Sequence, residues 1–127
     1  MIQLSPEGLD FVTEYHLATL STMGPDGRIH AVPVGFTYRD GLARVITSGP
    51  SQKVLNLRRD PRATLSQVEG AGWITLAGTA SILDDAESVA LAVDLYTERY
   101  RQPRVNPLRV AIVIEVETVM GSAGLLA

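Results

Sequence analysis

The links between the apolar runs of this chain are too short for anything but chain reversal. Gly24-Pro25-Asp26-Gly27 separates "HLATLSTM" (16–23) from "RIHAVPVGFTYR" (28–39), and Asp40-Gly41 separates that run from "LARVITS" (42–48). Glu69-Gly70-Ala71-Gly72 likewise joins "RATLSQV" (62–68) to "WITLAGTASIL" (73–83). Parallel neighbours need a crossover of about a dozen residues, so these links predict antiparallel pairs. A sixth run, "RVAIVIEVETV" (109–119), is rich in β-branched residues and alternates Ile112, Ile114 and Val116 with Val113, Glu115 and Glu117. Gly78, inside a strand pattern, predicts a bulge or a sharp bend. Pro33 has no ladder donor, so its strand lies at an edge, is bulged, or passes a ligand that takes a neighbour's place.

Three segments read as helices. Ser5-Pro6-Glu7 is a capped start with proline at the first helical position. A second runs from Pro50 to about Arg59 and is stopped by Asp60-Pro61, because a residue before proline is driven out of the helical region. The longest, 84–101, has an acidic first turn, arginines at its end, and Val89, Val93, Tyr96 and Tyr100 spaced as one apolar face. With no strand-helix-strand rhythm, the expected class is mainly β (α+β): a six-stranded antiparallel barrel, closed or partly closed, with peripheral helices. No repeat or linker divides the chain, so residues 1–127 are expected to form a single domain.

Composition removes several function classes. At 127 residues and a net charge of −3 there is no broad basic field for nucleic acid. The absence of cysteine excludes disulfides, thiolate catalysis and cysteine-based zinc sites. His16 and His30 are the only histidines, and neither sits in a ligand-spaced acidic cluster, so no metal site is expected. No signal-like start and no run of 18 apolar residues occur, which makes a cytoplasmic protein with no membrane span the expectation.

The stretch "VITSGPSQK" (45–53) is where binding chemistry concentrates. A strand runs into a helix start, whose first N–H groups lack partners and carry partial positive charge. Thr47, Ser48 and Ser51 add hydroxyls, Gln52 an amide and Lys53 a full charge, which together suit a phosphate. The same residues also make an ordinary capped helix with a solvated lysine. Pro33 and Gly35 leave backbone open to a flat molecule, or simply form an edge strand. No residue presents itself as a catalytic acid or base.

Taken together, "HLATLSTMGPDGRIHAVPVGF", "ARVITSGPSQKVLNLRRDPRATLSQV" and "GWITLAGTASI" resemble the split β-barrel proteins of the pyridoxamine 5'-phosphate oxidase-like superfamily, over roughly residues 10–120. The run Lys53–Ala63, with Trp73 and Gly78-Thr79-Ala80, is similar to the branch that uses the deazaflavin F420. "LSQVEGAGW" (65–73), "RYRQPRVNPLRV" (99–110) and the ending "GSAGLL" resemble its F420H2-dependent biliverdin reductase subgroup. The resemblance implies a homodimer with cofactor sites at the subunit interface, and hydride transfer from reduced F420 to a conjugated acceptor, biliverdin first. Alternatives are an F420- or FMN-dependent reductase of quinone-like or nitroaromatic substrates, and a non-catalytic F420-binding or storage protein. It further implies that Ser51, Gln52 and Lys53 contact phosphate with Asn56 on the same side, beside Thr47 and Ser48. By the same carry-over, His30, Val32, Pro33 and Val34 line the ring, and Gln67 and Trp73 build the surrounding pocket. Gln52, where flavin-binding relatives place arginine, and an apolar second strand make FMN less suited than F420. Arg99, Arg101, Arg104 and Arg109 are the candidates for the acceptor carboxylates.

Overall fold

Seven strands, not six, make up the sheet, because the run 28–39 breaks at Gly35-Phe36. The computed structural model describes residues 3–127. Their order is α1 (Pro6–Phe11), β1 (Ala18–Met23), β2 (Ile29–Val34), β3 (Thr37–Arg39), β4 (Leu42–Ser48), α2 (Gln52–Arg59), β5 (Arg62–Glu69), β6 (Gly72–Leu83), α3 (Ala86–Arg99) and β7 (Arg109–Gly121). The break has a packing cause: Phe36 turns inward and is buried, while a Cβ on Gly35 would lie 2.9 Å from Tyr96 Cε2.

All strands join one antiparallel sheet in the order β2-β1-β5-β6-β7-β4-β3. The expected barrel closure is absent, since β2 and β3 are both edges with no ladder between them. Two residues nevertheless connect those edges, so the sheet must curl until they are neighbours, with Leu20, Phe36, Val45, Leu65, Leu76, Ile112 and Ile114 packed inside. Segment 42–48 also pairs differently from a simple return along 28–39. It meets only the short β3 across the Asp40-Gly41 turn and lies along β7 for its whole length. Pro33 sits on the edge strand β2, where its missing donor costs no ladder bond. The register between β6 and β7 slips at Ala77/Gly78, and a Cβ on Gly78 would fall 1.9 Å from the Glu115 carbonyl oxygen, so only glycine fits that bulge.

The end of α3 fastens the β2–β3 link at Phe36 to the segment before β1 and to β5. Phe36 donates its N–H to Tyr100 Oη at 3.1 Å, and its carbonyl accepts from Arg99 Nη1 at 2.6 Å. Arg99 also donates to the Glu14 carbonyl (2.9 Å) and to Gln67 Oε1 (2.8 Å), and Tyr100 donates to the His16 carbonyl (2.6 Å). The buried face of α3 is therefore Ala92, Leu95 and Arg99, one position round from the face expected from its apolar spacing. Arg99→Leu should leave the Glu14 carbonyl and Gln67 Oε1 unpaired, while the Phe36 carbonyl keeps its contact from Tyr100 Oη, at about 1–3 kcal/mol for each buried acceptor lost. The expected outcome is a urea midpoint lowered far beyond the effect of an exposed substitution such as Arg101→Leu, and equal midpoints would contradict it.

Candidate functional site

Where α2 begins, the chain has just left β4, and both face the end of β2 across an open space. A cleft of about 940 Å³ forms there between Pro33, Val34 and Gly35, the β4 residues Ile46, Thr47 and Ser48, Lys53 of α2, Tyr96 of α3, and the irregular segment from Arg101 to Asn106, with Arg109. That segment is sewn to the end of β4. Asn106 donates to Ser48 Oγ at 2.8 Å, Gly49 N–H reaches the Leu108 carbonyl at 2.8 Å, and Arg109 Nη2 reaches the Arg104 carbonyl at 2.6 Å.

The charge of the cleft has one sign. Lys53, Arg101, Arg104 and Arg109 line it, and no Asp or Glu does. Partial burial pulls the Lys53 ammonium below its ordinary lysine value, since leaving water disfavours the charged form. An anion in the cleft would restore what the ammonium loses.

The helix start adds to this. Ser5 caps α1 by accepting from Gly8 N–H, and Asp85 caps α3 by accepting from Ser88 N–H. Ser51 is the N-cap of α2, one residue after Pro50, the expected helix start, yet its hydroxyl accepts from none of the first-turn amides. It instead receives a long contact from Thr47 Oγ1 at 3.5 Å. The first turn of α2, which carries Lys53, thus has no side-chain cap on its N–H groups, a suitable seat for phosphate.

Of the expected site residues, the structure gathers Pro33, Val34, Thr47, Ser48 and Lys53 in the cleft, whereas Ser51 and Gln52 form the start of α2 and do not line it. Asn56 lies behind it, fully buried: its Oδ1 accepts from Gln52 Nε2 at 2.7 Å and its Nδ2 donates to Thr22 Oγ1 at 3.0 Å. It ties the α2 start to β1. His30 and Val32 occupy earlier positions of β2, outside the cleft lining, and His30 Nδ1 is buried without a partner among the described residues. Gln67 is internal, donating to the Phe11 carbonyl at 2.6 Å while accepting from Arg99. Trp73 stands half exposed at the start of β6, its backbone bonded to Ser122. Arg99 is taken up by the β2–β3 link, whereas Arg101, Arg104 and Arg109 do line the cleft. Tyr96 and Asn106 were not singled out from sequence. Tyr96 reads there as one more apolar position of α3, and only the missing Cβ of Gly35 reveals what lies against it.

The family model for pyridoxamine 5'-phosphate oxidase matches residues 4–122, nearly the whole chain. The chain belongs to the pyridoxamine 5'-phosphate oxidase family. Within that family it is 48% identical over 126 residues to an F420H2-dependent biliverdin reductase of Mycobacterium tuberculosis (strain CDC 1551 / Oshkosh), spanning 98% of this chain and 92% of the relative. A conserved hypothetical protein from Mycobacterium tuberculosis superposes with a TM-score of 0.82 at 29% identity, over 94% of this chain and 85% of that one. An F420 reductase shares the fold with a TM-score of 0.75 at 22% identity, over 91% of this chain and 98% of that one.

Separate duties for Asn56 and Lys53 have a measurable consequence. Asn56→Ala leaves buried Thr22 Oγ1 and the Gln52 amide unpartnered and should cost about 1–3 kcal/mol of stability. Lys53→Ala, at a half-buried position that makes no hydrogen bond or ion pair among the described residues, should stay within about 0.5 kcal/mol. Urea unfolding of both variants checks this, and equal losses would contradict the division.

Proposed function

We propose that this protein is an F420H2-dependent reductase that transfers a hydride to biliverdin, giving bilirubin. The observation that carries the reading is the cleft lined by four cations and no carboxylate, in a chain 48% identical over nearly its full length to a reductase of that name. The residues present fit a deazaflavin that carries a phosphate and an acidic tail. The α2 first turn, Ser51 and Lys53 would take the phosphate, Arg101 and Arg104 are available for tail or acceptor carboxylates, and the edge backbone at Pro33-Val34 would lie along the ring.

When bound, reduced F420 supplies the hydride. The chain itself supplies anion binding, orientation and a wall that excludes water from one side. Lys53 at the helix start would hold the phosphate and not the reacting ring, so it contributes binding shared by ground and transition states. Gln52 is solvent-exposed and uncharged where a second phosphate-binding cation would otherwise stand, which favours F420 over FMN. We further infer a homodimer: β2 and β3 are open edges, and Ile29, Val68 and Trp73 are exposed. Exposed Trp73 would then serve a site completed by the second subunit. No helix among the described residues is long and apolar enough to cross a membrane.

Oxidation of F420H2 by the purified protein should depend on added biliverdin and yield bilirubin. Tight F420 binding without acceptor-dependent turnover would instead favour a storage role, and equal affinity for FMN would count against the cofactor choice. Lys53→Ala should weaken F420 binding roughly tenfold or more, the worth of one charge-assisted contact, while the rate at saturating cofactor holds. Light scattering at micromolar concentration should give twice the 13.7 kDa of one chain.

A further inference from the structure

Reduction of a linear tetrapyrrole needs a proton as well as a hydride, and the cleft contains no Asp, Glu, His or Cys to give it. Its arginines are too weak as acids, and Lys53 is assigned above to the cofactor phosphate. The hydroxyl of Ser48 accepts from Asn106 and that of Thr47 is directed to Ser51. One neutral acid of useful strength is left, the phenol of Tyr96. Among the described residues its hydroxyl has no hydrogen-bond partner and is not buried.

Tyr96 is also held in place. Its ring packs on Tyr100 at 4.8 Å between centroids with a 36° tilt, and Tyr100 is fixed through its hydroxyl to the Phe36 N–H and the His16 carbonyl. Gly35 lets the ring press against the cleft wall, since a Cβ there would lie 2.9 Å from Tyr96 Cε2. The cations of the same cleft would offset a phenolate formed beside them.

We propose that Tyr96 is the proton donor to the acceptor, an inference that rests on the function proposed above. Hydride from the reduced deazaflavin adds to the central methine carbon, forming a C–H bond, and the displaced π electron pair moves to the conjugated pyrrolenine nitrogen. That nitrogen forms an N–H bond with the Tyr96 Oη proton as the O–H bond breaks, and the phenolate regains a proton from water. The acceptor gains two electrons and the deazaflavin loses them.

Tyr96→Phe tests this in two ways. With reduced F420 and biliverdin, kcat should fall about 100-fold, within the usual range for a general acid, while the Kd for F420 stays within about twofold. Added phenol, small enough for the vacated position, should restore rate in proportion to its concentration, which a merely structural role would not allow. Separately, with no cofactor present, the long-wavelength absorption band of bound biliverdin should differ between wild type and Tyr96→Phe, because the nitrogen loses its hydrogen-bond donor. A kcat within twofold of wild type overturns the proposal, as does an identical band or no bound band in either protein. Absence of turnover in the wild type would count against the functional reading alone, and the absorbance comparison would still decide on Tyr96.

Discussion

One guanidinium fastens the link between the two sheet edges to the segment before β1 and to β5. Arg99 is nearly buried and, among the described residues, forms no ion pair and meets neutral acceptors: the Glu14 and Phe36 carbonyls and Gln67 Oε1. Its planar fork also lies 4.6 Å from the Phe36 ring centroid and 5.1 Å from that of Tyr100. Burial lowers its pKa from the ordinary arginine value, yet a guanidinium remains charged at any working pH. Burial also raises the Tyr100 phenol, which keeps its hydroxyl protonated, able to donate to His16 while accepting from Phe36. Both side chains converge on Phe36, in the link between β2 and β3. The cleft depends on them directly, because Pro33, Val34 and Gly35 immediately precede Phe36 while Arg101 and its segment follow Tyr100.

Much of this architecture is legible in the residues themselves. The tight turns require antiparallel pairing, Gly78 announces the bulge, and Pro33 announces an edge, each through a local steric or hydrogen-bonding rule with no dependence on distant partners. The seventh strand and the open sheet are not legible in this way. The break at Gly35-Phe36 arises from Tyr96 and Tyr100, about sixty residues later in the chain, and a pattern read along one strand cannot register it. Arg99 misleads for a related reason. At the end of a helix it looks like a charge that complements the dipole, whereas its burial is set by three carbonyl-type oxygens on other elements.

The site divides along the same line. Lys53 and the hydroxyls around it are visible because a strand-to-helix junction is a local object with its own electrostatics. Asn56 and Gln67 are polar residues in plausible positions, but their side chains are consumed by Gln52, Thr22, Phe11 and Arg99 behind the cleft. Such residues hold the surface on which a ligand lies, and nothing in a one-dimensional pattern separates that duty from contact with the ligand.

The distribution of charge has a kinetic meaning beyond the contacts it makes. The chain has 11 Lys and Arg against 14 Asp and Glu, yet the cleft takes four of the cations and none of the acids. Outside the cleft the surface is accordingly more acidic than the total suggests. A multiply charged anion is repelled from most of the molecule and drawn toward one opening, over a range set by a screening length of about 8 Å at physiological salt. Encounter with such an anion is thereby directed before any hydrogen bond forms.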